Sequence, residues 1–326
     1  MNMSEPVHFI ESALRGKLSR DVAMQKHTSW RAGGVADRIY QPADLADLQV
    51  FMRSLAADEP LLAVGLGSNL LVRDGGLRGT VLLMHAALSE LTLQQDGLVY
   101  VQAGVPGAKL ARFAALHNLC GAEFFAGIPG TMGGMLVMNA GCYGSDTWAH
   151  VVRVQVLTRS GELIERTPAE YEIGYRSVFF RGQWEVGSGE SGERCDSLLS
   201  TLYSPEEFFV GVWLRFEAGN GDTSRQQIKE LLGKRISSQP LNLPNAGSVF
   251  RNPPNDHAAR LIESCGLKGE TVGGAQVSEK HANFIVNVGG ATAADIENLI
   301  NQVRATVAAQ TGVDLHPEVK IIGDYK

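Results

Sequence analysis

The sequence predicts an α+β fold, on three observations. Apolar residues alternate in VVRVQVL and VGVWLRF, helical spacing recurs in two later segments, and strands precede helices without strict alternation of the two. In the first strand Val152, Val154 and Val156 are expected on one face, opposite Arg153 and Gln155. In the second, Val210, Val212, Leu214 and Phe216 repeat the pattern, so both read as half-buried strands. HAARLIESCG spaces Ala258, Leu261, Ile262 and Cys265 along one helical face, with Asp256 suited to cap it and Gly266 to stop it. A second helix is predicted where Thr292 and Asp295 resemble a capping box. There Ile296, Leu299, Ile300, Val303 and Val307 form the apolar stripe, and Gly312 closes it. Two stretches read as irregular. EVGSGESGERCDS (185–197) has the composition of a poorly ordered loop, and FEAGNGDTS (216–224) reads as an interdomain linker ahead of a helix around Ile228 to Leu232.

Composition bounds the function. The chain has 326 residues, 44% of them hydrophobic and 20% charged, enough for two or three packed domains. The net charge of −6 comes with no long basic run, which argues against nucleic acid and anionic membranes as partners. No signal-like N-terminal pattern and no membrane-length apolar stretch are present, so a cytoplasmic location is expected. Cys120, Cys142, Cys195 and Cys265 stand far apart without a CxxC or Cys/His cluster. They are expected as reduced thiols, with no metal site.

The segments GLGSNLLVRDGG (65–76) and GIPGTMGGMLVMNAG (127–141) are the unusual ones. Glycine lets backbone amides approach a ligand, and successive amides form anion-binding nests, so two such loops could cradle a pyrophosphate. Either loop alone reads equally as a tight turn. A Walker A loop needs a lysine, which Gly67-Ser68-Asn69 lacks, and a GxGxxG dinucleotide fingerprint fails at Leu70. A dinucleotide held through backbone amides by another fold remains, and the flavin dinucleotides fit it.

With IGYRSVFF, LPNAGSVFRNP, SEKHANFIVN and LHPEVKIIG, these two loops make six motifs in order over nearly the whole chain. The set resembles the UDP-N-acetylenolpyruvoylglucosamine reductase (MurB) family, flavoenzymes of bacterial peptidoglycan synthesis. The resemblance implies a two-subdomain FAD-binding region of the vanillyl-alcohol-oxidase (PCMH-type) fold and a C-terminal α+β substrate domain. It places the first subdomain at 1–85, joined by the C-terminal strand 313–326, the second at 86–219, and the substrate domain at 220–312. It implies non-covalent FAD contacted by Gly65, Gly67, Ser68, Asn69, Gly127, Ile128, Gly130, Thr131 and Gly134. NADPH is implied as hydride donor, UDP-N-acetylglucosamine enolpyruvate as substrate and UDP-N-acetylmuramate as product; a monomer is expected, though the sequence leaves monomer and dimer open.

In the implied reaction hydride reaches the terminal alkene carbon and negative charge builds on the adjacent carboxylate. Such a site needs a placed cation, a further group on the carboxylate, and an acid for the remaining carbon. The resemblance assigns Arg176 as the cation, Ser248 as the proton donor and Glu318 as the third catalytic residue. It sets Asn252 and His281 near the UDP diphosphate, with Arg251 and Lys280 as neighbouring charges. Taken alone, Ser248 reads as a turn serine after Asn245 and Gly247, Glu318 as a strand carboxylate beside Lys320, and His281 as a structural histidine. The motifs match the family's short form, yet 181–209 is longer than that form requires. Tyr203 within it either covers the substrate or belongs to a decorative insertion. Two alternatives carry a different chemistry: a flavin oxidase of the same fold tethering FAD through His117, Cys142 or His150, and a non-enzymatic flavin or UDP-sugar sensor.

Overall fold

The computed structural model describes residues 14–85, 87–181 and 205–326. The chain divides into two compact units. The first takes the described residues of Met1–Arg20, Arg38–Gly65 and Gly79–Lys229, and the second takes Asp21–Asp37, Leu66–Arg78 and Glu230–Lys326.

In the first unit the main layer is a five-stranded antiparallel sheet. Its order is Leu163–Arg166, Val151–Thr158, Glu207–Leu214, Val99–Gln102, Leu91–Leu93. Glu207–Leu214 lies between two partners, and Val210 to Leu214 are buried without a break. The alternation read there as a half-buried strand is therefore that of a central strand covered on both faces. Val151–Thr158 departs from a simple alternation too. Register shifts between Val151 and Arg153 and between Gln155 and Val156 break the pairing, and Val152 packs on Leu98, Tyr100 and Trp213 instead of sharing one regular face with Val154 and Val156. A parallel pair, Leu61 to Val64 against Thr80 to Leu83, backs onto the helix Leu45–Ser54 through Leu48, Phe51, Met52, Leu61 and Leu82. Asp44 caps that helix by accepting the Asp47 amide. Burial would raise the Asp47 carboxyl, but bonds from Tyr40 Oη and from the Ala43 and Arg15 amides outweigh it and hold it below its ordinary range.

FEAGNGDTS is structured, not a free linker. Glu217 and Ala218 pair with Cys120 and Leu119, and the helix Gly221–Ser238 starts at once, because Asn220 Oδ1 accepts the Asp222 and Thr223 amides.

The second unit is built on the helix Ala293–Thr311. Thr292 and Asp295 form the capping box, Gly312 ends the helix at φ 74°, and Ile296, Leu299, Ile300, Val303 and Val307 are all buried. They pack with Trp30, Leu71, Phe250, Leu261, Ile262 and Ile285 into one core. Burial of such side chains is worth about 1.5–3 kcal/mol each, which makes this stripe the main stabiliser of the unit. The helix Ala258–Ser264 buries Ala258, Leu261 and Ile262, but Asp256 does not cap it. Asn252 Oδ1 takes the Ala258 amide at 3.1 Å, while Asp256 accepts from the His257 amide and pairs with Arg260. A small antiparallel sheet, Thr271–Val272, Ala275–Val277 and Ile285–Asn287, completes the core, and Lys320–Ile322 pairs in parallel with Leu70–Val72. The described cysteines Cys120, Cys142 and Cys265 are free thiols, and no group of metal-ligating side chains occurs among the described residues. The 185–197 loop, Cys195 and Tyr203 lie outside the described residues.

Candidate active site

The two glycine loops prove unlike. In the first, no amide from Gly65 to Asn69 is bonded to another described residue, which leaves a row of open donors. Gly67 makes the turn possible. Its φ is +60°, and a Cβ there would overlap the His27 carbonyl oxygen and lie 2.8 Å from Thr28 Cα, while its own carbonyl accepts the Ser29 amide at 3.1 Å.

Amides of the second loop are already bonded, within the loop and to its neighbours. Ile128 N–H donates to Phe125, Gly130 to Ile128, Met132 to Val105 and Gly133 to Ala103. The first loop therefore keeps amides open to a ligand, whereas these four amides of the second are already taken. Its glycines serve close packing instead: a Cβ on Gly127 would sit 2.6 Å from the Tyr143 ring and 3.0 Å from Cys142 Sγ. Gly65 approaches Thr131 equally closely, since a Cβ there would overlap Thr131 Oγ1. Gly134 differs again. It lies in the helix Met132–Val137, and its missing Cβ would face open space. No described residue calls for glycine there, where alanine would be the better helix former by about 1 kcal/mol. The backbone there is left bare and open to close approach. Each loop has by itself a feature suited to a dinucleotide cofactor, the first an unbonded amide row and the second a helical glycine exposed to space.

Arg176 sits in the two-residue turn of the hairpin Tyr171–Gly174 and Ser177–Phe180, closed by the Gly174 and Ser177 pair. Its φ is +56°, a left-handed conformation that costs a non-glycine residue about 1–2 kcal/mol. The guanidinium Nη2 donates to the Gly141 carbonyl at 3.2 Å and the group lies 5.4 Å from the Tyr175 ring centre. Gly141 and Cys142 form a small hairpin with Ser145 and Asp146, and Cys142 faces Gly127. The structure thus brings Arg176 beside the second glycine loop, a neighbourhood that spacing in the sequence does not reveal.

Ser248 and Glu318 belong to the second unit, on adjacent segments. Glu318 N–H donates to the carbonyl of Val249, the residue after Ser248, at 2.7 Å, and Phe250 bridges to Pro317. Asn69 of the first glycine loop donates from Nδ2 to the Glu318 carbonyl at 3.2 Å, and Lys320 N–H donates to the Asn69 carbonyl at 3.0 Å. A candidate cofactor residue and a candidate catalytic residue, 249 positions apart, are thereby tied by a direct bond. Gly247 turns the chain ahead of Ser248 at φ 77°, its amide held by Asn245 Oδ1.

Asn283 is a residue the sequence reading passed over, although it lies inside SEKHANFIVN. It is buried, accepts the Phe250 amide at 3.0 Å and returns a bond to the Phe250 carbonyl at 2.8 Å, which holds the segment that follows Ser248. Its only sequence signal is a polar residue within an apolar run. Asn252 is exposed, with Oδ1 engaged in capping and its amide nitrogen left to donate. His281 is half-buried and packs edge-on against Phe284, and its buried Nδ1 has no partner among the described residues. Burial pushes its pKa below the ordinary value, with Lys268 adding repulsion, so the neutral ring is the resting form.

Comparison with known proteins decides what this arrangement belongs to. Residues 239–322 match the UDP-N-acetylenolpyruvoylglucosamine reductase C-terminal domain, and residues 36–167 match the FAD binding domain. The chain is 56% identical to the UDP-N-acetylenolpyruvoylglucosamine reductase of Nitrosospira multiformis, covering 99% of this chain and 94% of that one. It is 54% identical to the enzyme of Thiobacillus denitrificans, covering 95% and 94%. The crystal structure of the reductase from Thermus caldophilus superposes with a TM-score of 0.74 at 28% identity, covering 94% of this chain and 99% of that one. The chain belongs to the UDP-N-acetylenolpyruvoylglucosamine reductase family. The reductase is a flavin-dependent oxidoreductase, its FAD-binding fold joined to the C-terminal domain that bears the family's name. Neither the oxidase nor the sensor alternative is needed.

Proposed function

We propose that this reductase converts UDP-N-acetylglucosamine enolpyruvate to UDP-N-acetylmuramate with NADPH as hydride donor, and that Arg176, Ser248 and Glu318 carry the chemistry. The observation that supports the reading best is the Asn69 to Glu318 bond, which ties the open amide loop directly to the segment that carries Glu318. Gly65, Gly67, Ser68 and Asn69 would hold the FAD through their open amides. Gly127, Ile128, Gly130, Thr131 and Gly134 would line it by close approach of backbone. Bound there, FAD would supply two-electron hydride transfer between NADPH and the enolpyruvyl double bond.

The protein's own groups handle charge and protons. As hydride arrives, the electron pair of the double bond moves toward the substrate carboxylate. Arg176, permanently cationic, meets that charge with a planar fork of donors. Its turn conformation and its bond to Gly141 hold the fork in place before substrate arrives, so little reorganisation is needed in the transition state. Ser248 delivers a proton to the remaining carbon, completing net addition of H− and H+. Glu318 assists by hydrogen-bonding the carboxylate in its protonated form. His281, neutral at rest, would bind the diphosphate by hydrogen bond and not by charge, joined by the free amide of Asn252. No helix among the described residues is long and apolar enough to cross a membrane.

The test is direct. The FAD-loaded protein mixed with NADPH and UDP-N-acetylglucosamine enolpyruvate is expected to consume NADPH and yield UDP-N-acetylmuramate. A loaded preparation that leaves the NADPH absorbance unchanged refutes the assignment.

A further inference from the structure

The turn that bears Arg176 is held from behind by a side chain that the reading above does not use. Asn139 follows the helix Met132–Val137 of the second glycine loop and is 8% exposed. Its φ is +37°, within the left-handed region that asparagine adopts more readily than most residues. Both ends of its amide are engaged. Nδ2 donates to the Gly174 carbonyl at 3.2 Å, and Oδ1 accepts the Trp148 amide at 3.1 Å. Trp148 is fixed in turn, donating from Nε1 to the Leu136 carbonyl at 2.8 Å and packing 5.0 Å from the Tyr171 ring at the base of the same hairpin. Gly174 is the last strand residue before the Tyr175-Arg176 turn. Asn139 therefore holds the hairpin tip by the backbone where the turn begins, and Gly141 holds it by the guanidinium.

We infer that Asn139 is a positioning residue for the reduction, its Nδ2 to Gly174 bond setting where the Arg176 guanidinium stands relative to the glycine loop. The inference rests on the proposed role of Arg176 and adds a residue that touches neither substrate nor reacting atoms. Its physical basis is the strained turn. A residue at φ +56° keeps that conformation only where surrounding structure dictates it, and within the described residues the hydrogen bond from Asn139 is the one that reaches the Gly174 carbonyl from another element. With the bond lost, the turn can relax toward an unstrained conformation and carry the guanidinium away from the developing charge. Misplacement of a catalytic group by about 1 Å is enough to cost up to ~100-fold in rate.

Asn139→Asp isolates the link. It keeps the acceptor for Trp148 N–H but replaces the donor facing Gly174 with an acceptor that the carbonyl repels. In the FAD-loaded holoenzyme the expected result is a fall of roughly ten- to a hundred-fold in kcat with KM for the enolpyruvyl substrate changed far less. The second readout is a double-mutant cycle with Arg176→Ala. Acting through Arg176, Asn139→Asp should slow the Arg176→Ala enzyme little further, so the two losses do not multiply. Multiplying losses, or an Asn139→Asp enzyme within about two-fold of wild type, overturn the inference while leaving the role of Arg176 intact. A wild-type rate for Arg176→Ala overturns both. Should Asn139→Asp shed its flavin or fail to fold, Asn139→Gly accepts the left-handed backbone without strain, lacks both side-chain bonds, and is put through the same cycle. Failure of both variants to fold makes Asn139 a folding residue and also overturns the inference.

Discussion

Gly67→Ala is a sharp test of how the first loop is built. The backbone there has φ +60°, where an L side chain costs about 1–2 kcal/mol. The added methyl would overlap the His27 carbonyl and approach Thr28 Cα to 2.8 Å, and both atoms are backbone, with no rotamer to turn aside. The Ser29 amide bond to Gly67 ties the same segments together, so they cannot part without losing it. Forced shifts of this kind cost about 1–3 kcal/mol. Together the two effects predict a loss of about 2–5 kcal/mol against a domain stability of about 5–15 kcal/mol. Because the clash lies within the protein, the loss should appear in flavin-free material. Urea unfolding of the apo forms, followed by tryptophan fluorescence, measures it through Trp30 in the core next to the loop. A Gly67→Ala protein within about 0.5 kcal/mol of wild type would refute the geometry and the reasoning together.

Gly134→Ala should behave in the opposite sense. With open space at the Cβ position, the flavin-free protein gains about 0.5–1 kcal/mol by urea unfolding, while flavin retained through gel filtration falls. Unchanged retention removes Gly134 from the cofactor site. Ser248→Ala should still allow NADPH to bleach the flavin absorption, whereas return of the colour on adding the enolpyruvyl substrate slows by about two orders of magnitude or more. Equal slowing of both phases, seen by stopped flow, would make Ser248 structural. For His281, burial lowers the folded pKa, so the unfolded chain binds the proton first as pH falls. Its contribution to stability is complete above the ordinary histidine value of 6.5 and is lost as pH drops below it toward the folded value. His281→Gln should flatten that part of the curve of urea midpoint against pH, and an identical slope in the two proteins contradicts the assignment.

The parts of this protein that sequence reading reaches are those set by local chemistry. Thr292, Asp295 and Gly312 bound their helix as predicted because caps and a left-handed stop are decided within a few residues. The cap of Ala258–Ser264 was missed for the converse reason. Asp256 stands at a plausible distance, but its carboxylate is drawn to Arg260, and Asn252, six residues back, reaches the amide instead. Burial of Glu207–Leu214 on both faces depends on the two strands beside it, which no alternation within the strand reveals. At the candidate site the residue types and motifs were legible, while the differences between the loops were not. Whether an amide row stays open, as at Gly65 to Asn69, or closes on Ala103 and Val105, as at Met132 and Gly133, is a matter of tertiary partners. Asn69 to Glu318 and Asn139 to Gly174 are likewise long-range bonds between ordinary-looking residues.

Acid precipitation of the purified yellow protein tests the central claim, a flavin gripped by backbone and no covalent tether. The supernatant should hold FAD in stoichiometric amount and the pellet should be white. A colourless protein that takes up no added FAD, or colour that stays in the pellet, would contradict it.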